Sequence, residues 1–217
     1  GHFPAETDAL RAGGIPADAV LVCPAYPQAG RVTIGGVHHV RTGGALVPAG
    51  ETEFARDPVF GYRESDLRRW VRERAGDVAV ASIDLDDLRT GGPERVAGRL
   101  LAARGAARYV VADAAGDDDL AVLALGVARA EERGMRLLVR SGPSFLAARA
   151  GRPTPAPLAI PPGGRGLVVV GSHTALTTAQ LHAARERRGL AVVELSVAAL
   201  ARDDGAAVVA RAATALR

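Results

Sequence analysis

The sequence predicts an α/β protein: a mostly parallel sheet with helices on both faces, a β-hairpin insertion, and the beginning of a second α/β domain. Three observations predict it. From residue 78 onward, short apolar runs alternate with longer segments of helical period, the pattern of a parallel sheet covered on both sides. Residues 31–47 instead alternate apolar and polar residues between glycine pairs, as a hairpin does. A Pro/Gly-rich stretch at 151–166 then divides the chain, because proline removes donors and glycine adds freedom.

The elements follow in order. Residues 4–11 have helical periodicity and stop at Gly13-Gly14. Residues 19–22 form an apolar strand. The hairpin pairs 32–34 with 37–40, turning at Gly35-Gly36 and again at Gly43-Gly44. A loop covers 48–63, and Ser65-Asp66 caps a helix over 67–74. Strand 78–83 precedes helix 93–104, whose first turn holds Pro93. Strand 109–112 ends at Asp113. Asp117, Asp118 and Asp119 open a helix through 132, where the dipole favours carboxylates. Strand 137–139 leads through Ser141-Gly142-Pro143-Ser144 to a short helix over 145–149. After the linker come strand 167–170, helix 179–188, strand 191–195 and helix 197–216. Two strands cannot bury a core alone, so this second unit reads as unfinished, or as borrowing a partner's surface; a homo-oligomer stays open.

Composition narrows the function. Nearly half of the 217 residues are hydrophobic, enough for a packed core, and only 4% are aromatic, which disfavours base-stacking nucleic-acid modules. All cationic side chains are arginines; the absence of lysine excludes a P-loop lysine, a Schiff base and a Ser–Lys dyad. Arginines alternate with acids, as in 68–74, in the manner of a solvated helix face. The single cysteine, Cys23, allows no intramolecular disulfide and no multi-cysteine zinc site, and its apolar strand suits buried packing. No apolar run approaches the ~20 residues of a membrane span, and no signal peptide is visible. The expectation is a cytoplasmic protein without nucleic-acid or membrane partners.

Ligands of open parallel sheets sit beyond the C-terminal strand ends, so the polar residues there are the candidates. They are the 23–31 segment, Asp84, Asp113, Ser141, Ser144 and Gly171-Ser172. Arg31, after a proline-rich loop, offers a bidentate fork for a carboxylate or phosphate; a plain surface arginine reads the same way. Asp84, Asp86 and Asp87 suit helix capping better than metal binding. His38 and His39 on a strand point to opposite faces and cannot chelate one ion together. The run 167–170 passes through Gly171-Ser172 into a helix start carrying Thr174, Thr177 and Thr178. That is a natural anion cradle, and equally an ordinary β–α connection with hydroxyl caps. His173 lies in the same turn, within reach of a phosphate or free in solvent. No metal-ligand set, nucleophile elbow or dinucleotide fingerprint appears.

Several segments, in order, resemble a known family. Cys23-Pro-Ala-Tyr-Pro-Gln-Ala-Gly-Arg31, Gly36-Val-His38, Gly50-Glu-Thr-Glu-Phe-Ala-Arg-Asp-Pro58 and Ser65-Asp-Leu67 are similar to the sugar-binding domain of the four-carbon acid sugar kinases. Val139-Arg-Ser-Gly-Pro-Ser-Phe-Leu-Ala147 resembles that family's Gly-Ser-x-Gly-Leu-Ala turn, departing at Pro143 and Phe145. The segment 170–181 resembles the opening of its nucleotide-binding domain. The family's Asp-Asp-x-Thr-Gly-Ala segment, nearly all of its Asp-Ser-Thr-x-Arg-Gly segment and its late Gly-Gly-x-Thr loop have no counterpart here. The resemblance therefore implies part of a longer kinase: 1–150 as the sugar-acid domain lacking its opening strands, with an open sheet edge, 151–166 as linker, and 167–217 as the start of the nucleotide-binding domain.

It further implies ATP- and Mg²⁺-dependent phosphorylation of a tetronate or 3-oxo-tetronate. Pro24, Tyr26, Gly30, Arg31, Ser141 and Ser144 would serve the acid; Gly171, Ser172, Thr174 and Thr177 would serve the nucleotide. Asp84 and Asp113 are the weak candidates for a general base, and the isolated chain is expected to be a poor catalyst. The alternatives are a non-catalytic binder of an acid sugar or a partner, including a protein of the kind labelled an effector, and a piece of an aldolase-like or isomerase-like barrel. The missing lysine disfavours the Schiff-base version of the last.

Overall fold

Val, Leu and Ala runs too short for helices zip into a parallel sheet because each strand finds a neighbour that satisfies its backbone. A computed structural model describes residues 2–151, 158–160, 163, 166–172, 174–202 and 205–215. The chain divides into two units, Gly1–Pro157 and Leu158–Arg217.

In the first unit, helix α1 (Phe3–Ala12) leads to β1 (Ala19–Cys23). Strands β2 (Arg31–Ile34), β3 (Val37–Thr42) and β4 (Ala45–Pro48) follow, then α2 (Leu67–Ala75) and β5 (Val80–Ile83). Next come α3 (Leu85–Arg89), α4 (Gly92–Ala103), β6 (Tyr109–Ala112), α5 (Asp117–Glu132), β7 (Leu137–Ser141) and α6 (Pro143–Arg149). The parallel sheet has the order β5-β6-β1-β7, with Leu21 of β1 opposite Val110 on one side and Val139 on the other. Strands β5 and β7 are its edges, each paired on one side only among the described residues. One face carries Leu21, Val110 and Ile83 against Leu100, Leu120, Leu123 and Phe145 of the α4–α6 layer. The other carries Val20, Val22, Tyr109 and Val111 against Phe3, Leu67 and Val71 of α1 and α2. The expected helices on both faces are therefore present.

The predicted hairpin is a three-stranded antiparallel sheet, because Ala45–Pro48 adds to the far side of β3. Its pairing register sets Thr33 opposite His38. Two backbone bonds dock it to the parallel sheet: the Thr33 N–H donates to the Ala114 carbonyl at 2.9 Å, and the Ala114 N–H returns to Thr33 at 3.1 Å. The Asp84–Asp87 segment, read as capping, does cap a short additional helix, α3.

The second unit departs from its prediction. Helix α7 (Ala175–Arg188) forms, starting four residues earlier than expected because Thr174 caps it. The helix expected over 197–216 divides into α8 (Val197–Leu200) and α9 (Gly205–Ala215). The runs 167–170 and 191–195, expected as strands, have no ladder partner among the described residues. Val169 is 85% exposed. Apolar residues of this kind become a strand only when a neighbouring strand accepts their hydrogen bonds.

Candidate functional site

The site lies at the C-terminal ends of β1 and β7. Gly142 follows β7 and donates its N–H to the Cys23 carbonyl at 2.9 Å. A Cβ on Gly142 would stand 2.5 Å from the Ala25 carbonyl oxygen; only glycine lets the two strand ends come this close. The antiparallel sheet closes a second side. The N–H groups and carbonyls of Tyr26 and Arg31 bond reciprocally at 2.8 and 3.0 Å, which fixes the intervening loop. The segment 49–65 forms the cover. It is anchored where the Gly50 N–H donates to Ser65 Oγ at 2.8 Å and where Arg63 and Glu64 N–H groups donate to the Glu73 carboxylate.

These walls enclose a cavity of about 280 Å³ lined by Pro24, Arg31, His38, Tyr62, Glu64, Ser65, Trp70, Arg140, Ser141 and Gly142, with Val22, Ala49 and Leu67. The volume suits a small organic acid. The guanidinium of Arg31 lies 5.0 Å over the Phe54 ring and, among the described residues, makes no ion pair. Arg140 is paired with Glu6 of α1. Burial pushes the Tyr62 hydroxyl up, opposed by a Thr52 hydrogen bond and the charges of Arg31 and Arg74. The His38 ring is pulled down to about 4, first by burial and then by Arg31 and His39, so it is neutral at physiological pH. Cations, one carboxylate and several hydroxyls thus converge on one small space, a donor and acceptor set matched to a polyhydroxy carboxylate.

Of the expected acid-binding residues, the cavity gathers Pro24, Arg31 and Ser141. Tyr26, Gly30 and Ser144 do not line it. Gly30 takes a left-handed φ of 69° to close the 27–29 turn, and its carbonyl accepts from the Arg41 N–H. The Ser144 hydroxyl donates to Gln28 Oε1, while Gln28 Nε2 donates to Asp117 at 2.8 Å. That chain ties the loop to α5 and α6. Sequence reasoning missed Tyr62, Glu64 and Trp70, which lay in segments read only as loop and helix. Arg140 stands beside Ser141 and was open to the same strand-end rule.

Neither candidate base lines the cavity. Asp84 is the N-cap of α3, accepting from the Asp87 N–H at 2.8 Å. Asp113 is buried; its Oδ1 accepts from the Gly36 N–H at 3.0 Å, and Oδ2 has no hydrogen-bond partner among the described residues. Burial raises its carboxyl, Asp84 adds to that, and the Gly35 and Gly36 N–H groups and Arg68 oppose it. Asp113 therefore fastens the Gly35-Gly36 turn to the end of β6. Cys23 is sealed in the core, where burial pushes the thiol up to about 12.

In the second unit, Thr177 Oγ1 donates to Ser172 Oγ at 3.0 Å, Thr174 Oγ1 donates to Thr177 Oγ1 at 3.1 Å, and the Thr177 N–H donates to Thr174 Oγ1 at 3.3 Å. Gly171 and Ser172 are exposed in front of this cluster. With the Thr174 and Thr177 hydroxyl protons engaged within the cluster, the Ser172 hydroxyl and the positive end of the α7 dipole are what this turn offers to an anion. His173 lies outside the described residues. Among those residues no group of three or more His, Cys, Asp or Glu side chains is placed to hold a metal ion. No helix among them is long and apolar enough to cross a membrane.

Such a site, on a doubly covered parallel sheet, defines an α/β protein with a small cavity lined by polar and apolar side chains and a separate hydroxyl-rich helix start. Residues 1–149 match the family model of a sugar-binding N-terminal domain, and residues 167–217 match that of a nucleotide-binding C-terminal domain. The chain belongs to the four-carbon acid sugar kinase family. It is 30% identical over 210 residues to a D-erythronate kinase of Heliobacterium modesticaldum, covering 92% of this chain and 44% of that protein. It is 31% identical over 199 residues to a D-threonate kinase of Cupriavidus necator, covering 88% and 44%. It thus spans less than half the length of either curated relative. A crystal structure of a Bordetella bronchiseptica domain of unknown function, a domain-swapped dimer with bound citrate, superposes with a TM-score of 0.51 at 31% identity, covering 69% of this chain and 33% of that one.

Proposed function

We propose that the protein acts in ATP-dependent phosphorylation of a four-carbon acid sugar, a tetronate or 3-oxo-tetronate, and that the cavity of the first unit holds the acid. One observation carries the reading: Arg31, held by Phe54 and free of any ion pair among the described residues, lines a cavity in which the hydroxyls of Tyr62, Ser65 and Ser141, the His38 ring and the Glu64 carboxylate stand among apolar side chains. A guanidinium without a partner is ready for a substrate carboxylate. The kinase names of the two relatives and the small hydroxy acid bound to the Bordetella protein support the same class. Pro24 and Ser141 contribute to this wall; Tyr26, Gly30 and Ser144 hold the loop that carries Arg31.

Gly171, Ser172, Thr174 and Thr177 would hold phosphate oxygens of ATP. The nucleotide supplies the phosphoryl group when bound, with Mg²⁺ arriving on its phosphates. The chain's own task is positioning: Arg31 fixes the acid's carboxyl end against the cavity wall. We place the protein in the cytoplasm, and, with the domain-swapped Bordetella dimer as support, propose self-association.

Calorimetry with D-erythronate and D-threonate, and a coupled ADP-release assay with the same acids, test the reading. Binding of one acid, with ADP release slow at most in this chain, is the expected result. Binding without turnover would remove phosphoryl transfer from this chain and leave an acid-binding protein. Loss of both would remove the acid site as well. Light scattering that gives a monomer at all concentrations would remove self-association.

A further inference from the structure

Beside Arg31, the cavity contains a group that the phosphorylation reading does not use. His38 on β3 is buried, at 8% exposure, and lines the cavity. Its ring Nδ1 lies 3.0 Å from Thr33 Oγ1 on the paired strand. Thr33 is itself wholly buried and clamped to Ala114 by two backbone bonds, and the His38 N–H donates to the Ser65 carbonyl at 2.8 Å. Ring position and tilt are therefore fixed from two sides. Nε2 has no hydrogen-bond partner among the described residues, and it is not among the polar atoms sealed from solvent.

We propose that His38 reads a hydroxyl of the bound acid through Nε2 while Arg31 takes the carboxylate, so that the cavity selects polyhydroxy acids over plain carboxylates. The inference rests on the acid-binding reading of the cavity. With Thr33 engaged at Nδ1, Nε2 has one role, donor or acceptor according to tautomer. A hydroxyl satisfies either role; a carboxylate satisfies only the first. A cation here would duplicate Arg31 and draw the carboxylate to the wrong end. The charged neighbours are Arg31 on β2 and His39 on β3, both of which disfavour protonation of the ring, with Glu64 and Arg140 on the remaining walls. Thr33 is the positioning residue, acting through the ring.

The test is calorimetry on the full chain with D-erythronate, 3,4-dihydroxybutanoate, 2,4-dihydroxybutanoate and butanoate. The wild-type protein should prefer erythronate over at least one of the two deoxy acids by about tenfold, the order expected of one hydrogen bond. His38→Asn keeps an amide for Thr33 but places nothing at Nε2; it should reduce that ratio to near one, with erythronate affinity falling by more than butanoate affinity. His38→Gln reaches the Nε2 position and should restore most of the preference. On the unmodified protein, the ¹⁵N resonance of His38 Nε2 should shift with erythronate and not with butanoate, a result that does not depend on any variant folding. An Nε2 signal that is the same with both acids, or a full preference retained by His38→Asn, overturns the proposal and leaves acid binding intact. A wild-type protein that binds none of the four acids overturns both.

Discussion

Strand β1 and the run 167–170 are written in nearly the same residues, yet they have opposite fates. Ala19 to Cys23 are at most 2% exposed, paired on both sides and covered on both faces; Leu167, Val168 and Val169 are 70–85% exposed and unpaired among the described residues. Hydrophobicity alone does not make a strand. A strand needs neighbours for its N–H and carbonyl groups and helices for its faces. The first unit supplies both; among the described residues, the second supplies neither to 167–170.

The largest expected effect tests this contrast directly. Leu21→Asp would bury an unpaired charge between the sheet and the α4–α6 layer and should cost more than about 4 kcal/mol, enough to abolish cooperative unfolding. Val169→Asp should change stability by no more than about 0.5 kcal/mol. Urea titration followed by circular dichroism measures both. A loss at Val169 comparable to that at Leu21 would mean that 167–170 is covered in solution, and the comparison would break.

The same contrast separates the two candidate ligand sites. Arg31 is half-buried in the cavity wall, where a charge-assisted bond would contribute about 1.5–3 kcal/mol. Arg31→Gln should therefore weaken tetronate binding by at least about tenfold. Ser172 faces solvent, and Ser172→Ala should weaken ATP binding only a few-fold, because other hydroxyls and the helix start remain. Calorimetry with each ligand gives the two ratios. A larger loss at Ser172 than at Arg31 would reverse the ranking.

The sequence made most of this legible where local and tertiary signals agree. Strands 19–22 and 109–112 and helix 117–132 lie within a residue of their final bounds because period, caps and burial all point the same way. Arg31 and Ser141 were legible by the strand-end rule. Tyr62, Glu64 and Trp70 were not, since the fold of segment 49–65 over the strand ends depends on contacts such as Gly50 with Ser65 and Glu64 with Glu73, which carry no periodic signature. The strands predicted at 167–170 and 191–195 failed for the converse reason: the local signal was strong, and no ladder partner stands among the described residues. Asp84 and Asp113 show a third case. A carboxylate at a strand end is needed for capping α3 and pinning the Gly35-Gly36 turn, and type alone cannot separate that from catalysis.

Asp113 also gives a pH dependence. Its folded-state pKa is raised above the ordinary 3.8, so the native state binds a proton more tightly than the unfolded chain. Its contribution is fully present below 3.8 and is lost as pH rises from there through the folded-state value. Asp113→Asn keeps an oxygen for the Gly36 N–H and removes the charge. The stability of the variant relative to wild type should therefore increase as pH rises from 4 to 7, by denaturant titration at fixed ionic strength. A difference independent of pH would mean that the carboxyl is hydrated after all.

The smallest expected effect concerns two helix caps of the same design. Asp66 caps α2 by accepting from the N–H groups of Arg68 and Arg69, and α2 buries Leu67 and Val71 in the core. Thr174 caps α7 through Thr177, and α7 buries no residue. Removing either cap frees one or two N–H donors, a loss of about 1 kcal/mol to the helix itself. What differs is where that loss is felt. Because α2 is part of a cooperative core, Asp66→Ala should lower the global unfolding free energy by about 1 kcal/mol. Because α7 has no core to share, Thr174→Ala should leave the main transition in place and speed amide hydrogen exchange only in the first turn of α7. A main transition displaced equally by both substitutions would show that the two units unfold as one, and that α7 draws stability from the sheet of the first unit.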